Sequence, residues 1–567
     1  MLTRQQIYTL LIIISAGLML GRIIAVNRTD MQHLQKNRLA EISKKLAEKE
    51  QRLRAANVPE EDLRVELEKT ERQLLIDAQL ELPVFSANDR SRWNTIRVLV
   101  EPEMRVQRTV TLPDGTERTE TVWYAIDKAQ NVKGWDTIDM VKHNNVATES
   151  SFWEVAKKNG MEFSERVSEL IKKGSDWWHG DTAAENDPPE QPHANIGNDP
   201  PGQIAPGHLY SSKPPLLPTL MAAPYALMYW GSNGKLSLEH EPYLVVRVML
   251  VVCNFLPLVF CWFLLSRLIE RFGTTNWGRA FSVAFICFGT FLSTFAITLN
   301  NHLPAVVCIT IAFYCAVRIV YDQETRWRYF AGAGFFSAFA VACEMPILLF
   351  CCLLGFWLFC HRYRQTLFVF LPAALVVAAA FFATNYTAHK TLLPAYSQQD
   401  WYFYQYERGG KILDSYWKNP VGIDRGEPDR ADYVFHTTIG HHGLFSLTPV
   451  WALSVIGLCL WLFNRRYWSM AVLILLMSVV VFLFYTLVLP EHQRNYGGMT
   501  SAFRWMFWLA PLWSVALVAA ADQFSRHGFF RAIALACLMV SVMSASYPVW
   551  NPWTMPWTYN LLQYVGR

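Results

Sequence analysis

Long apolar runs are the feature that most limits what this chain can fold into. Two of them, 366–384 and 468–489, match the roughly 20 residues that an α-helix needs to cross a bilayer. Similar runs fill most of the second half of the chain, whereas 27–212 and 385–442 are hydrophilic. Because the apolar residues are gathered into blocks, we predict a polytopic α-helical membrane protein with an α+β insert outside the bilayer.

The spacing of these runs predicts about eleven transmembrane helices. The run 7–26 follows a single Arg4 without a convincing cleavage site, so we interpret it as a retained anchor, with a cleaved signal peptide as the alternative. We assign helix 1 to 1–26, helices 2–7 to 243–384, and helices 8–11 with a C-terminal tail to 444–567. The later spans are expected near 243–264, 280–299, 303–320, 329–343, 345–360, 366–384, 444–463, 468–489, 505–521 and 529–547.

Arginines indicate the orientation of these helices. Alternate connecting loops are rich in arginine, and the positive-inside rule assigns that set to the cytoplasm. The alternation holds only if 214–230 does not cross, and Pro218 and Pro224 within it favour an interfacial helix. We therefore predict an N-in, C-out multi-pass protein of the cell membrane whose two hydrophilic segments are large extracytoplasmic loops.

The first hydrophilic segment begins with a helical pattern. Leu39, Leu46 and Leu53 recur at heptad spacing, which is typical of a coiled coil. Pro59 and the acids after it mark the start of a second helix. We predict that 27–82 forms an extracytoplasmic helical hairpin or short coiled coil.

The rest of the first outer loop, 83–242, has a different character. An Asp114-Gly115 pair between alternating β-branched residues predicts a β-hairpin. Farther along, 149–173 has a helical pattern, and 181–206 is rich in Pro, Asn, Gly and Asp, which predicts a mobile loop. The second outer loop is expected at 385–443.

Charge and cysteine usage exclude several classes of function. A net charge of +4 without a clustered basic face argues against a nucleic-acid partner. The 11 cysteines all lie in or beside apolar runs, without the spacing of a disulfide framework or a zinc site. We therefore predict no cofactor; a divalent metal is possible, although no ligand pattern indicates one.

The order of several motifs resembles that of a known superfamily. Residues 87–93, ANDRSRW, place an acid in the first outer loop, and 210–216, YSSKPPL, follow later. A span then opens with Glu241 and Arg247 and ends in Arg267. In this arrangement the chain resembles the GT-C glycosyltransferases, especially protein O-mannosyltransferases and lipid A aminoarabinose transferases. The resemblance implies inverting transfer of a sugar from a polyprenyl-phosphate carrier, at the bilayer, to an unknown protein or glycolipid acceptor on the outer face.

That chemistry needs a carboxylate base and cations for the departing phosphate. Its position in the first loop makes Asp89 our candidate base, with a salt bridge to Arg90 or Arg92 or a turn cap as the structural alternative. Asp136 and Asp139 are competing acids that could instead cap a helix. The candidate donor-phosphate residues are Lys213, Tyr210, Arg247, Arg494 and Arg504. Ordinary headgroup contacts or snorkelling would also explain these cations.

Aromatic and histidine side chains are candidates for the acceptor or sugar site. We expect Trp93, Tyr404, His441 and His442 to contribute, although aromatic residues are also common at membrane interfaces. Glu344 is unusual between two apolar runs, and related enzymes often have a lysine near this point, which leaves any role for it open. The alternative functions are a transporter or flippase, or a non-catalytic assembly protein.

Overall fold

The fold comes from a computed structural model that describes residues 3–26, 39–56, 58–78, 84–111, 116–132, 134–144, 157, 161, 206–408 and 411–565. The predicted helix at 149–173 and the predicted mobile loop at 181–206 lie almost entirely outside these residues. The Asp114-Gly115 turn also lies outside them.

Seven helices in the described part of the chain are long and apolar enough to cross a membrane. This confirms the predicted helical class and provides seven candidate membrane spans. The seven are Arg4–Ile24, Pro242–Phe272, His302–Tyr321, Met345–His389, Trp468–Val488, Arg504–Phe524 and Gly528–Ser546. The stretch Met345–His389 contains two of the predicted spans, 345–360 and 366–384. Between them the backbone leaves the helical region, at Arg362 (φ −149°, ψ 67°).

The helices before the second outer loop are numbered in chain order. They are α1 (Arg4–Ile24), α2 (Leu39–Ala55), α3 (Glu60–Ala78), α4 (Ala87–Val100), α5 (Asp127–Asn131), α6 (Leu216–Gly231), α7 (Pro242–Phe272), α8 (Asn276–Ala284), α9 (His302–Tyr321), α10 (Trp327–Cys343), α11 (Leu348–Gln365) and α12 (Leu371–His389).

The remaining helices follow in the same numbering. They are α13 (Arg430–Thr438), α14 (Leu444–Leu447), α15 (Val450–Leu462), α16 (Trp468–Leu483), α17 (Ala510–Phe524), α18 (Gly528–Ser546) and α19 (Trp557–Val565).

Three predicted spans do not appear as long helices. The 329–343 span is α10, which has 17 residues, and the 444–463 span is divided by Thr448-Pro449 into α14 and α15. In the third, 280–299, α8 continues as a π-helical turn to Gly289 and then stops. The prediction of one continuous helix there was wrong.

The residues after Gly289 form a buried, mostly irregular stretch, which we call the 290–301 segment. Side chains satisfy several of its backbone groups, and two of these side chains, Asn254 and Asp89, come from elsewhere in the fold. Asn254, in a π-helical turn of α7, donates to Ala296 O at 2.9 Å and to Thr298 O at 2.8 Å. Irregular backbone at membrane depth is tolerated where protein groups replace water as partners.

The membrane helices pack closely where small residues allow it. A Cβ on Gly457 of α15 would lie 2.0 Å from Ala516 O of α17, so these two backbones touch. The described core is large and aromatic, with Trp262, Phe313 and Trp508 fully buried within it.

Two helices stand in the region of the predicted hairpin. Lys49 of α2 bonds Glu66 of α3 at 3.1 Å and Thr70 at 2.6 Å, while Arg54 reaches Glu60 at 3.3 Å. These contacts pair the end of α2 with the start of α3, so the two helices run antiparallel.

The two hydrophilic segments contain three two-stranded antiparallel sheets. The first pairs Val106 with Val122 and Thr111 with Glu117, as the alternating pattern predicts. The second pairs Met140 with Ser211 and His143 with His208, and it joins two stretches that are far apart in sequence. The strands are β1 (Val106–Thr111), β2 (Glu117–Val122), β3 (Met140–His143), β4 (His208–Ser211), β5 (Gln405–Arg408) and β6 (Lys411–Asp414).

Helix α6 follows β4 after a four-residue turn and is apolar on both its buried and its exposed faces. Tyr225 is fully buried, whereas Leu227 and Trp230 on the other face are exposed. The Tyr225 hydroxyl donates to Glu101 at 2.5 Å and accepts from the Leu238 amide at 3.0 Å. These bonds fix α6 against the end of α4.

Candidate functional site

The site is built around α4, whose first turn carries the candidate base. Ser86 caps this helix by accepting from the Asp89 amide at 3.2 Å. The Asp89 carboxylate is 1% exposed, and its two oxygens accept from the Leu299 amide at 3.0 Å and the Phe85 amide at 3.3 Å. The carboxylate thus ties α4 to the 290–301 segment.

Burial sets the proton affinity of this carboxylate. Desolvation raises the pKa of Asp89 to about 7, although the amide hydrogen bonds and Arg92 favour the charged form. An acid with a pKa near 7 can exchange a proton close to neutral pH, as a general base must.

The β3–β4 sheet brings a second acid to the candidate lysine. Because β4 ends at Ser211 beside Met140, Lys213 Nζ lies 3.0 Å from Asp139 Oδ1. Ser91 of α4 donates to the Asp139 carbonyl at 2.6 Å, so the sheet and α4 share this corner. The lysine and aspartate side chains are 22% and 15% exposed, which leaves the pair partly accessible.

Arg92, one turn after Asp89 on α4, points into the same region. Its Nη2 donates to Asn301 Oδ1 at 2.6 Å, and its Nη1 donates to Asn88 O at 3.0 Å. The residue is 2% exposed, and no carboxylate in the described part of the chain lies within 4.0 Å of its nitrogens. A buried guanidinium with neutral partners leaves positive charge available to a ligand.

Arg504 lies at the start of a 3-10 turn that leads into α17. Its Nε and Nη2 donate to Gly497 O at 2.9 and 2.6 Å, and its Nη1 donates to His302 Nε2 at 2.9 Å. Its guanidinium lies 5.0 Å from the Trp553 ring centroid. Gly497 has a φ of +91°, and a Cβ there would come within 3.0 Å of Arg504 Nε, which explains the need for glycine.

Arg92, Lys213 and Arg504, with Asp139 among them, form what we call the cation cluster. Burial lowers the pKa of Lys213; Asp139 opposes the shift, while Arg92 and Arg504 reinforce it. Burial likewise lowers the pKa of Arg92 to about 10, again opposed by Asp139 and reinforced by Arg504. Mutual repulsion among buried cations disfavours their charged forms, and a bound anion would relieve it.

The segment 385–443 covers this cluster with aromatic and acidic groups. Burial raises the pKa of Tyr402, and the neighbouring Asp139 charge adds to the rise. Trp417 donates to Ile138 O at 2.9 Å, next to Asp139. Burial also raises the pKa of Asp424, which accepts from the Tyr416 hydroxyl at 2.9 Å. These groups give the cluster an amphipathic wall.

Three predicted site residues have other partners. Arg494 donates to Pro428 O at 3.1 Å and has Arg430 as a charged neighbour. Arg247 donates to Val26 O at 3.1 Å, at the end of α1, and lies 5.6 Å from the Tyr243 ring. Asp136 is 41% exposed and pairs with Arg90 at 3.8 Å and Arg408 at 3.4 Å.

The predicted sugar-binding aromatics and a predicted phosphate ligand are mostly core residues. Trp93 and Tyr210 are fully buried, and Tyr404 is 8% exposed. Tyr210 stacks on His143 with ring centroids 4.3 Å apart. These side chains are therefore part of the buried core of the described residues.

His441 and His442 lie in a separate aromatic group. Their Nδ1 atoms are 2.5 Å apart, and His442 Nε2 donates to Thr500 O at 3.0 Å. Burial lowers the pKa of His441 to about 4 and that of His442 to about 3. Both rings pack on Tyr496, and His442 is fully buried.

Sequence reasoning missed two members of the site. Arg92 was weighed only as an ion-pair partner for Asp89, although its position three residues later on one helix places both on the same face. His302 stood in a loop motif, Asn300-Asn301-His302, without an identified partner. Its partner is Glu344, whose position among apolar residues was the available signal.

One group of acids elsewhere could offer oxygens to a cation. Carboxylate oxygens of Glu101, Glu103 and Glu239 lie within 4.8 Å of one another. Arg97 donates to both oxygens of Glu101 at 3.2 and 3.1 Å, and this guanidinium already balances the buried charge. The group stabilises the α4–α6 junction and is separate from the cation cluster.

The arrangement can bind an anion, hold a carboxylate of near-neutral pKa beside it and exclude bulk water with aromatic side chains. Comparisons of the whole chain with protein families, curated proteins and solved structures find no match.

Proposed function

We propose that this protein is an integral membrane glycosyltransferase that transfers a sugar, with inversion, from a polyprenyl-phosphate donor to an extracytoplasmic acceptor. The observation that carries the proposal is the cation cluster: the buried Arg92 and the partly buried Lys213 and Arg504 around Asp139, next to the start of apolar helices. A phosphate attached to a long apolar chain has the matching chemistry, since its charge fits the cluster and its tail fits the bilayer.

In the proposed reaction, an acceptor hydroxyl or amine attacks the anomeric carbon as the bond to the phosphate oxygen breaks. The phosphate leaves with the bonding electron pair, and Lys213, Arg92 and Arg504 stabilise its developing charge. The acceptor proton passes to a carboxylate. Atoms and charge balance without a redox partner.

We propose Asp89 as that carboxylate and Asp139 as the residue that holds Lys213. The pKa of about 7 suits Asp89 for a base, and the backbone amides that bind its oxygens orient it. Asp139 is more exposed than Asp89, but its Oδ1 is engaged in the ion pair with Lys213. Movement of the 290–301 segment would open Asp89 to the acceptor.

The proposed sidedness is N-in and C-out with about eleven crossings. These include the shorter α10 and α15, and also α8 together with the 290–301 segment, which would cross as one broken span. Alternation of arginine-rich loops supports it. A topology reporter fused after Trp230 should be active outside the cytoplasm, and activity only in the cytoplasm would overturn this orientation.

Transfer can be tested by release of polyprenyl phosphate from purified protein supplied with a panel of decaprenyl-phosphate sugars and membrane extract as acceptor. Wild-type protein should release the lipid phosphate. Asp89→Asn should lower the rate by at least about 100-fold, as is typical for loss of a general base, while the donor KM stays nearly constant.

Lys213→Ala should raise the donor KM instead. The matched control is Glu103→Gln, which alters an exposed acid just after α4, outside the cluster, and should leave both constants near wild type. If Asp139→Asn abolishes transfer and Asp89→Asn does not, the base is Asp139. Lack of release with every donor would refute the proposed function.

A further inference from the structure

A hydrogen-bonded chain of three side chains runs from the membrane helices to the cation cluster. Glu344, at the end of α10, bonds His302 Nδ1 at the start of α9. His302 Nε2 in turn contacts Arg504 Nη1 at 2.9 Å. The three residues therefore connect two helices with the turn before α17.

The donors and acceptors in this chain have only one consistent arrangement. A guanidinium can only donate, so His302 Nε2 must accept from Arg504. A neutral imidazole then carries its proton on Nδ1, where it donates to the Glu344 carboxylate. The carboxylate thus selects the tautomer that Arg504 requires, as second partners of functional histidines commonly do.

The chain is shielded from water. His302 is 2% exposed and Glu344 is 7% exposed. Phe295 and Phe507 meet the imidazole edge-on, with ring centroids 6.5 and 6.1 Å away. Rotation of the ring would break two buried hydrogen bonds, so its orientation is fixed.

Arg504 has five N–H groups, and three of them are used by Gly497 O and His302. Arg504 makes no other hydrogen bond within the described residues, so two N–H groups remain for a ligand. Because the three existing bonds lie on both sides of the guanidinium, they hold its plane in one orientation. Without the His302 contact, only the bonds to Gly497 O and the Trp553 ring would orient the guanidinium, and its Nη1 end would have no fixed partner among the described residues.

We propose that His302, held by Glu344, is a positioning residue that fixes the Arg504 guanidinium in the orientation that binds the donor phosphate. This inference rests on the proposed function, because it assumes that the cation cluster receives a phosphate. It assigns a role to Glu344, an acid that is unusual in the sequence because it lies between two apolar runs.

The test uses the full-length protein in detergent and farnesyl phosphate as a soluble probe, with affinity measured by calorimetry. His302→Phe removes the acceptor for Arg504 and keeps an aromatic ring among Phe295 and Phe507. We expect it to raise the Kd about tenfold, as for loss of one hydrogen bond to a charged group. His302→Gln should restore most of the affinity, because an amide can accept from Arg504 and donate to Glu344 at once.

A double-mutant cycle separates positioning from a general effect on the fold. In an Arg504→Gln background, His302→Phe should have little further effect on the Kd. The inference is wrong if His302→Phe leaves the Kd unchanged while Arg504→Gln raises it, or if its effect is equally large in the Arg504→Gln background. If wild-type protein shows no saturable binding, or binds no better than Lys213→Ala, the proposed function itself fails.

Discussion

The Lys213–Asp139 pair gives the sharpest test of the cation cluster, because its two members should not be equivalent. Asp139→Asn would remove the carboxylate that acts on Lys213, Arg92 and Arg504 alike, and would leave the three cations facing one another across its place. Lys213→Met would leave Asp139 with the two arginines still close enough to stabilise it. The aspartate variant should therefore lose more stability than the lysine variant.

The size of the effect follows from burial. Removing one partner of a fully buried ion pair costs about 3–5 kcal/mol, and this pair is 22% and 15% exposed. We expect Asp139→Asn to lower the free energy of unfolding by about 2–3 kcal/mol and Lys213→Met to lower it by about 1 kcal/mol. Asp136→Asn, three residues away and 41% exposed, is the matched control and should change it by less than about 0.5 kcal/mol.

Unfolding in mixed detergent micelles, followed by tryptophan fluorescence, measures these differences. Inorganic phosphate should stabilise the Asp139→Asn variant, by about 1.4 kcal/mol at ten times its Kd, since an anion replaces the lost carboxylate. Equal losses for Asp139→Asn and Lys213→Met would refute the reasoning, as would a loss for Asp139→Asn no larger than that of the control. Either result would mean that the three cations are already balanced by other groups.

Three further predictions concern the surrounding structure. Burial raises the folded-state pKa of Asp89 from 3.8 to about 7, so the folded protein binds a proton more tightly than the unfolded chain. The free energy of unfolding should therefore fall by up to about 4 kcal/mol as pH rises from about 4 to 7. Asp89→Asn should abolish that dependence in unfolding curves measured across this pH range. Tyr225→Phe should lower the free energy of unfolding by about 2 kcal/mol, because Glu101 and the Leu238 amide both lose a partner, whereas Tyr229→Phe, at the exposed Glu103 contact, should be nearly neutral. Gly457→Ala should lower it by about 1–3 kcal/mol by separating α15 from α17, while Gly17→Ala in α1 meets nothing within 4 Å and should be tolerated.

Local patterns identified much of this molecule. Apolar run length identified the long helices, and the alternation around 106–122 identified the β1–β2 pair. Lys213 and Arg504 drew notice because they are cations in unusual places. Such signals are local, and helix and hairpin formation depend largely on local preference and periodicity.

The composition of the site could not be derived in the same way. Asp139 meets Lys213 only because β3 and β4 pair across a long insertion, and Arg504 meets His302 across 202 positions of sequence. Arg494 seemed equivalent to Arg504 in sequence, yet its hydrogen bond goes to Pro428. Which of two similar arginines reaches a site is decided by tertiary packing, and single-sequence periodicity does not contain that information.

The 290–301 segment shows why hydropathy overestimates continuous helix here. Its residues are apolar enough to be counted as part of a span, but Asn254 and Asp89 supply hydrogen bonds that a helix would otherwise have made internally. Those bonds come from residues at least 42 positions away in sequence. A local hydropathy pattern does not register such distant partners, and for this reason the helix prediction at 280–299 failed.

The same segment has a consequence for how the protein can move. Its backbone is attached to its surroundings through side chains, and one of them, Asp89, has a charge that changes near neutral pH. Backbone amides bind an ionised carboxylate more strongly than a protonated one, so each proton taken up by Asp89 loosens the attachment of Leu299. Asn301 and His302, the partners of Arg92 and Arg504, follow within three residues. We therefore expect protonation of this carboxylate to affect the placement of the two arginines, so that proton transfer would itself change how firmly the anion site is held together.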